Sequence, residues 1–448
     1  MKKKQQNTPI TVGFVALGCP KNMVDSEKML ASIVNHGMLI TEDIENADVM
    51  VINTCGFIAP ARQEAIDALT DAAKWKKKLP DRKIVAAGCL VQREGTNLFD
   101  EVKTIDAIVG LAHRDKIAEI IENLFKKPGR QIHIGGSNNF INDDSQRLLI
   151  TPSHYAFLRI SEGCSRRCSF CTIPDIRGNF RSKPMDMILK EASELVSSGV
   201  KELILIAQDS CNYGKDIGLK NGLVRLLEEL EKLPGLCWLR IMYLYPANVD
   251  DELIEKIASS DKILNYVDIP IQHINNDILK AMKRTDTKEK TVSVIEKLRK
   301  AMPDVVIRTT VITGFPGETE VQFNELVEFI KWAKFDMLGC FAYCPEKNTP
   351  ASNMPNQIAD EIKHSRVDQI MLAQQSIAFE KAKGHIGQKL KVIVDAIGEE
   401  GFASGRYFGQ APDIDSLCLI ENFKAEHGDI IAAEVIGTDE YDLIVKQL

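Results

Sequence analysis

The N-terminal part of the chain alternates short apolar runs with stretches of helical period. The runs "TVGFVALGC", "DVMVINTC" and "KIVAAGC" are rich in β-branched residues and have the length of strands. Helical patterns follow them at Val24–His36, Pro60–Lys77, Val91–Phe99 and Asp115–Phe125. Alternation of this kind predicts a parallel sheet with helices on its faces.

A second βα pattern follows residues 128–152, a stretch rich in Gly, Asn, Asp and Ser that predicts a linker with at most one short strand. Its strand-like runs are "YAFLRI", "ELILIA", "CWLRIMY", "NYVDIP", "VVIRTTVI" and "MLGCFAY". Helical segments fall between them at Met185–Ser198, Leu223–Lys232, Asp250–Ala258, Lys288–Lys300 and Glu320–Ala333. Six βα units predict a partial, open barrel rather than a closed eight-fold one.

The C-terminal part loses its helical period after the segment Ala359–Lys383. The runs "LKVIVDAI", "CLIE" and "IIAAEVIGT" predict strands of a small β-barrel. We therefore predict an α/β protein with a first domain at 1–127, a linker at 128–152, a partial barrel at 153–383 and a β-barrel at 384–448. A length of 448 residues fits such a division.

The composition and the N-terminal residues indicate the cellular compartment of the protein. Hydrophobic residues make up 44% and charged residues 27%, as in globular proteins with apolar cores. No apolar run approaches the ~18 residues that a membrane helix needs. The basic start "MKKKQQNTPI" is not followed by the apolar region of a secretory signal. We expect a cytoplasmic protein with reduced thiols and no membrane association.

The charge is concentrated at the C-terminal end. Residues 384–448 hold 12 acidic and 5 basic side chains, so this segment carries the whole net charge of −7. An acidic module repels phosphate backbones and attracts basic partners. The alternative is a solvated surface that confers solubility.

Three cysteines share a position relative to the predicted strands of the first domain. Cys19, Cys55 and Cys89 each end a strand. Because the C-terminal ends of parallel strands lie at one edge of a sheet, these thiols are predicted to converge there as a three-thiolate metal site. The alternative is three unrelated small core residues.

A second cysteine group is the motif C-x3-C-x2-C, formed by Cys164, Cys168 and Cys171 after the first barrel strand. Structural zinc takes four ligands, and no second C-x2-C pair is present to complete them. An iron–sulfur cubane held by three thiolates keeps one iron free for a small molecule. The five remaining cysteines are 211, 237, 340, 344 and 418, and we expect ordinary packing for all but Cys344, whose role we leave open.

This motif, with Phe170 between its last two cysteines, resembles the radical S-adenosylmethionine (SAM) superfamily. The resemblance implies that SAM chelates the open iron. It further implies that one electron splits SAM, and that the resulting 5′-deoxyadenosyl radical abstracts hydrogen from an unreactive carbon. The backbone near Phe170 would lie against the adenine.

With the strand-end trio before the motif and a small β-barrel behind it, nearly the whole chain resembles the methylthiotransferases. That resemblance implies a methylthiotransferase domain, a radical-SAM domain and a TRAM domain. It also implies that Cys19, Cys55 and Cys89 bind an auxiliary 4Fe–4S cluster, which makes two clusters per chain. The open iron of this cluster would serve the sulfur to be transferred.

Within this family the motifs "LGCPKNMVDSE", "LRISEGC", "YLYP", "DIPIQH" and "YDLI" resemble the RimO branch. That branch modifies an aspartate of ribosomal protein S-twelve, whereas the other branch modifies an adenosine in transfer RNA. The resemblance implies methylthiolation of the aspartate β-carbon, a cytosolic electron donor, and contact with nucleic acid only through the ribosome. An acidic TRAM domain suits a lysine- and arginine-rich ribosomal protein.

Further SAM contacts are predicted at the mouth of the barrel. Gln208 and Gln272 end strands, where either SAM contact or plain turn formation is expected. Arg308 is a candidate for the SAM carboxylate, and Gly314 for the adenine-contacting segment. Two other functions stay open: modification of transfer-RNA adenosine by the same chemistry, and a non-catalytic ribosome- or RNA-binding protein that holds structural zinc.

Overall fold

The structure, a computed structural model, describes residues 9–135, 143–398 and 401–448. Two compact units make up the chain. The first comprises 1–150, 161–165 and 171–187, and the second comprises 151–160, 166–170 and 188–448. In the described residues no helix is both long and apolar enough to cross a membrane.

The first unit is built on a six-stranded sheet in which every neighbouring pair is parallel, in the order β2-β1-β3-β4-β5-β6. Its strands are β1 (Thr11–Ala16), β2 (Leu39–Ile40), β3 (Val49–Thr54), β4 (Lys83–Gly88), β5 (Ala107–Val109) and β6 (Gln131–His133). The helices beside them are α1 (Pro20–Asn35), α2 (Ala59–Lys78), α3 (Cys89–Glu94), α4 (Leu98–Glu101) and α5 (Ile117–Lys126).

Both faces of this sheet are buried, because successive side chains of a strand point to opposite sides. Ile84 of β4 packs with Leu69 of α2 on one face. Its neighbour Val85 packs with Met29 of α1 on the other. Burial on both sides explains why these strands are continuous apolar runs in the sequence.

Part of the predicted linker belongs to this unit. In the described residues of this segment, the short strand β6 extends the sheet beside β5. Farther on, Ser145 accepts a hydrogen bond from Lys28 Nζ at 2.6 Å, and the Leu148 N–H donates to the carbonyl of Glu27 at 3.2 Å. The described end of the segment is therefore held on α1.

The second unit contains a six-stranded parallel sheet in the order β14-β13-β12-β11-β10-β7. Its strands are β7 (Tyr155–Arg159), β10 (Glu202–Ile206), β11 (Trp238–Ile241), β12 (Ile263–Asp268), β13 (Val306–Thr313) and β14 (Met337–Ala342). The two-residue strands β8 (Ser161–Glu162) and β9 (Arg181–Ser182) form an antiparallel pair in the first unit. Within the six-stranded sheet each strand pairs with the next of its own strands along the chain, as in the predicted partial barrel.

The helices after the first unit's sheet follow the predicted pattern, with two short additions. They are α6 (Ile173–Arg177), α7 (Met185–Ser197), α8 (Gly222–Leu230), α9 (Asp251–Ala258), α10 (Asn276–Ala281), α11 (Lys288–Ala301), α12 (Glu320–Ala333) and α13 (Asp360–Gly384). The additions, α6 and α10, are only five and six residues long, too short to show a helical period.

The second unit ends in a closed five-stranded barrel in the order β15-β16-β17-β19-β18. Its strands are β15 (Lys389–Ile397), β16 (Phe402–Tyr407), β17 (Cys418–Glu421), β18 (Ile430–Asp439) and β19 (Asp442–Gln447). Strands β15, β17 and β18 match the predicted strands, whereas β16 and β19 were not predicted. The run "FASGRY" of β16 carries a glycine, Gly405, where an added Cβ would lie 2.3 Å from the carbonyl oxygen of Ile393.

Buried charges join this barrel to the parallel sheet of the same unit. Arg406 of β16 donates to Glu202 of β10 at 2.7 Å and to Asp395 of β15 at 2.7 and 2.9 Å. Arg240 of β11 also donates to Glu202 at 2.7 Å. Burial alone would raise the pKa of Glu202, but Arg406 and Arg240 hold that pKa below its ordinary value.

Part of the acidic charge of the C-terminal segment is thus used in contacts with the rest of the second unit. Four aspartates of this segment contact residues outside it at 2.7 to 3.4 Å. The pairs are Asp395 with His154, Asp413 with Tyr155, Asp415 with Arg308, and Asp429 with Lys201. Glu426, Asp439 and Glu440 are exposed.

Candidate functional site

The strand-end cysteines of the first unit lie at one edge of its sheet. Cys19 follows β1 and caps α1, Cys55 follows β3, and Cys89 follows β4 and begins α3. Strands β1, β3 and β4 are neighbours in the sheet. Cys55 and Cys89 are buried, and Cys19 is exposed. The three thiols are placed where the strand pattern predicted them.

Two glycines allow the cysteine loops to approach one another. Gly18 has φ +93°, and a Cβ at that position would lie 2.8 Å from Cβ of Cys55. Gly88 has φ +97°, and its Cβ would lie 2.2 Å from Oδ1 of Asn53. Both positions combine left-handed backbone with a close contact, so only glycine fits without a shift of the loops.

The buried side chain of Asn22 connects all three loops. Its amide nitrogen donates to the carbonyl of Leu17 at 2.5 Å and to that of Thr54 at 3.3 Å. Its amide oxygen lies 4.0 Å from Sγ of Cys89. The Asn53 amide donates in turn to the Asn22 carbonyl at 2.9 Å. The motif "PKN" therefore places its asparagine where it holds the cysteine loops together.

A buried arginine contacts the third cysteine. Nη2 of Arg177 lies 3.2 Å from Sγ of Cys89 and 2.9 Å from Oδ2 of Asp25. Its Nη1 donates to both carboxylate oxygens of Glu162 at 3.2 Å. Lys21 also pairs with Glu162, at 3.3 Å. Arg177 was not among the residues predicted from the sequence to belong to this site.

The three thiols influence one another electrostatically. The pKa of Cys89 is raised to about 12, mainly by burial; the charges of Cys19 and Cys55 contribute to the rise, and Arg177 opposes it. Burial likewise raises the pKa of Cys55, with a contribution from Cys19. A cationic donor beside the sulfur of Cys89 fits an iron–sulfur cluster, whose ligands are thiolates.

A single metal ion fits these side chains less well than a cluster does. In the part of the chain that the structure describes, no three His, Cys, Asp or Glu side chains are grouped closely enough for one ion. One zinc ion would need four ligands around a common centre. A cubane instead offers a separate iron to each thiolate.

The C-x3-C-x2-C loop is divided between the two units, Cys164 and Cys171 in the first and Cys168 in the second. The Cys164 N–H donates to the carbonyl of Gly178 at 3.1 Å. Thr172, directly after Cys171, donates its hydroxyl to the carbonyl of Phe57 at 3.2 Å. In the first unit, the residue that follows Cys171 therefore packs near the loop that carries Cys55.

In the second unit two arginines influence Cys168. Arg166 and Arg284 stack on the ring of Tyr245, at 3.5 and 4.3 Å from its centre. Arg166 Nε also donates to Asp209 at 2.6 Å. Burial raises the pKa of Cys168, and Arg284 and Arg166 oppose that rise. Sequence reasoning missed these arginines, although Tyr245 lies in the motif "YLYP".

Two of the predicted SAM contacts lie on neighbouring segments. Phe170 is half-buried and packs against the cluster that contains Phe315 and Tyr343. Gly314, the residue before Phe315, has φ +70°. A Cβ at Gly314 would lie 2.3 Å from Cγ of Lys363. The glycine therefore accommodates a lysine stem of α13 at the end of β13.

The other three predicted contacts differ in their placement. Gln272 has φ +67° and pairs through its backbone with Thr310 and Ile312 of β13, at 2.9 and 2.7 Å. Gln208 follows β10 and is partly exposed. Arg308 lies near the start of β13, and it pairs with Asp268 at 3.0 Å and with Asp415 at 3.3 Å. Its charge is thus directed to carboxylates at the opposite end of the strand from Gly314.

Family models match three parts of the chain. The Radical SAM superfamily matches residues 158–330, the TRAM domain matches 386–447, and Uncharacterized protein family UPF0004 matches 11–110. These ranges follow the partial barrel, the small β-barrel and the sheet that carries the cysteine trio.

Curated relatives match nearly the full length. The ribosomal protein uS12 methylthiotransferase RimO of Thermoanaerobacter sp. (strain X514) is 42% identical over 435 residues, 97% of this chain and 99% of the relative. RimO of Clostridioides difficile (strain 630) is 42% identical over 440 residues, 97% and 98% of the two chains. The chain belongs to the RimO family. It is therefore a radical SAM enzyme and a transferase, and the predicted family is confirmed.

Solved structures support the predicted fold. The radical SAM methyltransferase TsrM from Kitasatospora setae, with cobalamin and a 4Fe–4S cluster bound, has a TM-score of 0.58 at 15% identity over 77% of each chain. OxsB, a cobalamin-dependent SAM radical enzyme, has a TM-score of 0.51 at 13% identity and covers 82% of this chain and 57% of its own. At such identities the likeness concerns the fold. Membership of the radical SAM superfamily shows that this RimO chain uses an iron–sulfur cluster and SAM.

Proposed function

We propose that this chain adds a methylthio group to the β-carbon of an aspartate in ribosomal protein uS12. Its curated relatives carry the name of a uS12 methylthiotransferase over their full length. The observation that carries the proposal is the convergence of Cys19, Cys55 and Cys89 at the edge of one sheet, in the same chain as a C-x3-C-x2-C loop. Two sites with three thiols each suit a reaction that needs both a radical and a bound sulfur.

Each trio would hold a 4Fe–4S cluster with one open iron. The auxiliary cluster would take Cys19, Cys55 and Cys89, and the SAM-binding cluster Cys164, Cys168 and Cys171. When bound, these groups supply one-electron chemistry, a carbon radical and the methylthio group. The substrate carbon is sp3 and carries no acidic hydrogen, so a protein side chain is too weak a base to activate it.

The residues around each trio would position it and exclude water. Asn22 holds the loops of the first trio, and Arg177 donates to Cys89. Phe170 and Gly314, which share Phe315 as a neighbour, are the best supported of the predicted SAM contacts. For Arg308 the two carboxylate partners support a role in joining the β-barrel to the sheet.

The acidic β-barrel would attract the basic substrate protein. Four of its acidic side chains face the sheet domain, so this attraction rests on exposed groups such as Glu426, Asp439 and Glu440. Replacing these three with Gln, Asn and Gln should weaken uS12 binding and reduce its salt dependence. Unchanged binding at low salt would exclude this surface. We place the reaction in the cytoplasm, where a cytosolic donor would supply electrons.

The substrate is tested with anaerobically reconstituted enzyme, SAM and a chemical reductant. Purified uS12 and transfer RNA are offered in parallel, and both are analysed by mass spectrometry. We expect a methylthio mass gain on one aspartate of uS12 and none on the RNA. A gain on RNA alone would replace the proposal with adenosine modification.

The two-cluster assignment is tested by iron analysis. The wild-type chain should hold about eight irons, and a Cys19→Ala, Cys55→Ala, Cys89→Ala variant about four. A matched control removes three other thiols of intermediate exposure, Cys237, Cys340 and Cys344, and should keep about eight. Zinc in place of iron would instead indicate a non-catalytic binding protein.

A further inference from the structure

A short segment of the first unit links the C-x3-C-x2-C loop to the strand-end trio. It begins at Cys171 and continues through α6 to Arg177. Thr172, at its start, donates to the carbonyl of Phe57, in the loop that follows Cys55. At its end, Ile176 packs against Cys89, and Arg177 donates to the sulfur of that cysteine. The segment therefore contacts two of the three loops of the trio.

The guanidinium of Arg177 is fixed in this position by carboxylates on both sides. Asp25 of α1 accepts from the same nitrogen that faces Cys89, and Glu162 of β8 accepts from the other. Arg177, Asp25 and Glu162 are all buried. A planar guanidinium held by two carboxylates has little freedom to turn, so its N–H stays directed at the sulfur.

We propose that Arg177 is a positioning residue for the auxiliary cluster, whose hydrogen bond to the Cys89 sulfur stabilises the reduced form of that cluster. Reduction adds negative charge to a cluster that its thiolates already make electron-rich. A buried cation that donates to a ligating sulfur offsets that charge, and such hydrogen bonds are one of the factors that set the potential of iron–sulfur clusters.

This inference rests on the proposed function, because it requires a cluster at Cys19, Cys55 and Cys89. The test therefore uses the full chain with Cys164→Ala, Cys168→Ala and Cys171→Ala, in which any remaining cluster is the auxiliary one. Iron bound by this background protein establishes the site independently of Arg177. If the background binds no iron, the proposed cluster assignment fails, and the failure is separate from that of the inference.

The midpoint potential of the remaining cluster is then measured by an anaerobic redox titration followed by electron paramagnetic resonance. Arg177→Gln keeps a donor but removes the charge, and Arg177→Lys keeps the charge but loses the fork geometry. The matched control is Arg114→Lys, because Arg114 is also buried and also pairs with Asp25, and with Asp144 at 2.6 Å.

We expect Arg177→Gln to lower the equilibrium constant for reduction of the cluster roughly tenfold, which for one electron is a fall of about 59 mV in the midpoint potential. Arg177→Lys should lower the midpoint potential less. Arg114→Lys should leave the potential unchanged. Loss of iron from both Arg177 variants, with iron retained in Arg114→Lys, would also support the positioning role. Equal potentials in all four proteins, or equal changes in the Arg177 and Arg114 variants, would overturn it.

Discussion

Replacing Asn22 with alanine should destabilise the first unit through the loops that it connects. Two donated hydrogen bonds are lost, one to the part-buried carbonyl of Leu17 and one to the buried carbonyl of Thr54. The first loss costs about 1 kcal/mol, since water can replace the donor. The second leaves a buried acceptor without its side-chain donor, which costs about 1–3 kcal/mol. The free energy of unfolding should therefore fall by about 2–4 kcal/mol.

The assay uses the positions of the three tryptophans. Trp75 belongs to α2 and lies in the core of the first unit, whereas Trp238 and Trp332 belong to the second unit. In a background with Trp238→Phe and Trp332→Phe, the fluorescence of Trp75 reports urea unfolding of the first unit alone. Measurement without iron separates the stability of the protein from that of any cluster.

The control removes an exposed asparagine of the same unit. Asn46 donates to Asp43 at 2.6 Å on the surface, so Asn46→Ala should change the free energy of unfolding by less than about 0.5 kcal/mol. If Asn22→Ala is as stable as Asn46→Ala, the amide of Asn22 does not hold the cysteine loops, and the reasoning is refuted.

Three other predictions concern the second unit, each measured by chemical denaturation. Arg406→Met removes a cation from the buried Glu202 and the partly buried Asp395 and should cost about 3–5 kcal/mol. Lys201→Met, at a more exposed contact with the β-barrel, should cost less than about 1 kcal/mol. Burial alone would raise the pKa of Glu202, but its arginine partners lower that pKa below the ordinary 4.5. The ionised carboxylate of Glu202 therefore contributes to stability above pH 4.5. This contribution is lost as the pH falls through the lower pKa of the folded state. Gly314→Ala adds a clash to left-handed strain and should cost at least about 1 kcal/mol more than Gly317→Ala, since a Cβ at Gly317 meets nothing within 4 Å.

Each of these predictions has a contrary outcome. Equal costs for Arg406→Met and Lys201→Met would show that burial does not strengthen the contact. An unchanged acid unfolding curve in Glu202→Gln would exclude that carboxylate as a source of the pH dependence. Equal costs for the two glycine variants would mean that the lysine stem beside Gly314 moves aside freely.

The sequence predicted the features that depend on local period and on strand direction. The strand-end positions of Cys19, Cys55 and Cys89 were predictable because parallel strands share an edge. Arg308 was placed in the correct strand, but a period of two does not tell which end of the barrel a side chain serves. Its pairing with Asp415 depends on how the β-barrel docks, which no local pattern encodes.

Contacts between distant segments were the part that the sequence did not reveal. Arg177 reaches Cys89 only because α6 packs near α3, and Arg166 reaches Tyr245 only through the arrangement of the loops in the second unit. Each of these arginines lies in a short segment without an apolar period. A sequence pattern identifies such a residue as polar, but it does not identify the partner.

The composition of the first unit limits how this enzyme can be divided. Segments 161–165 and 171–187 lie beyond the predicted first domain, yet they supply Glu162 to Lys21, Arg177 to Asp25 and Lys183 to Asp144. A gene fragment that stops at residue 150 would lose these three ion pairs, although Asp25 and Asp144 would keep Arg114. Recombination at residue 150 would break these ion pairs whenever the two sides came from different parents, so we expect the two halves to be inherited together.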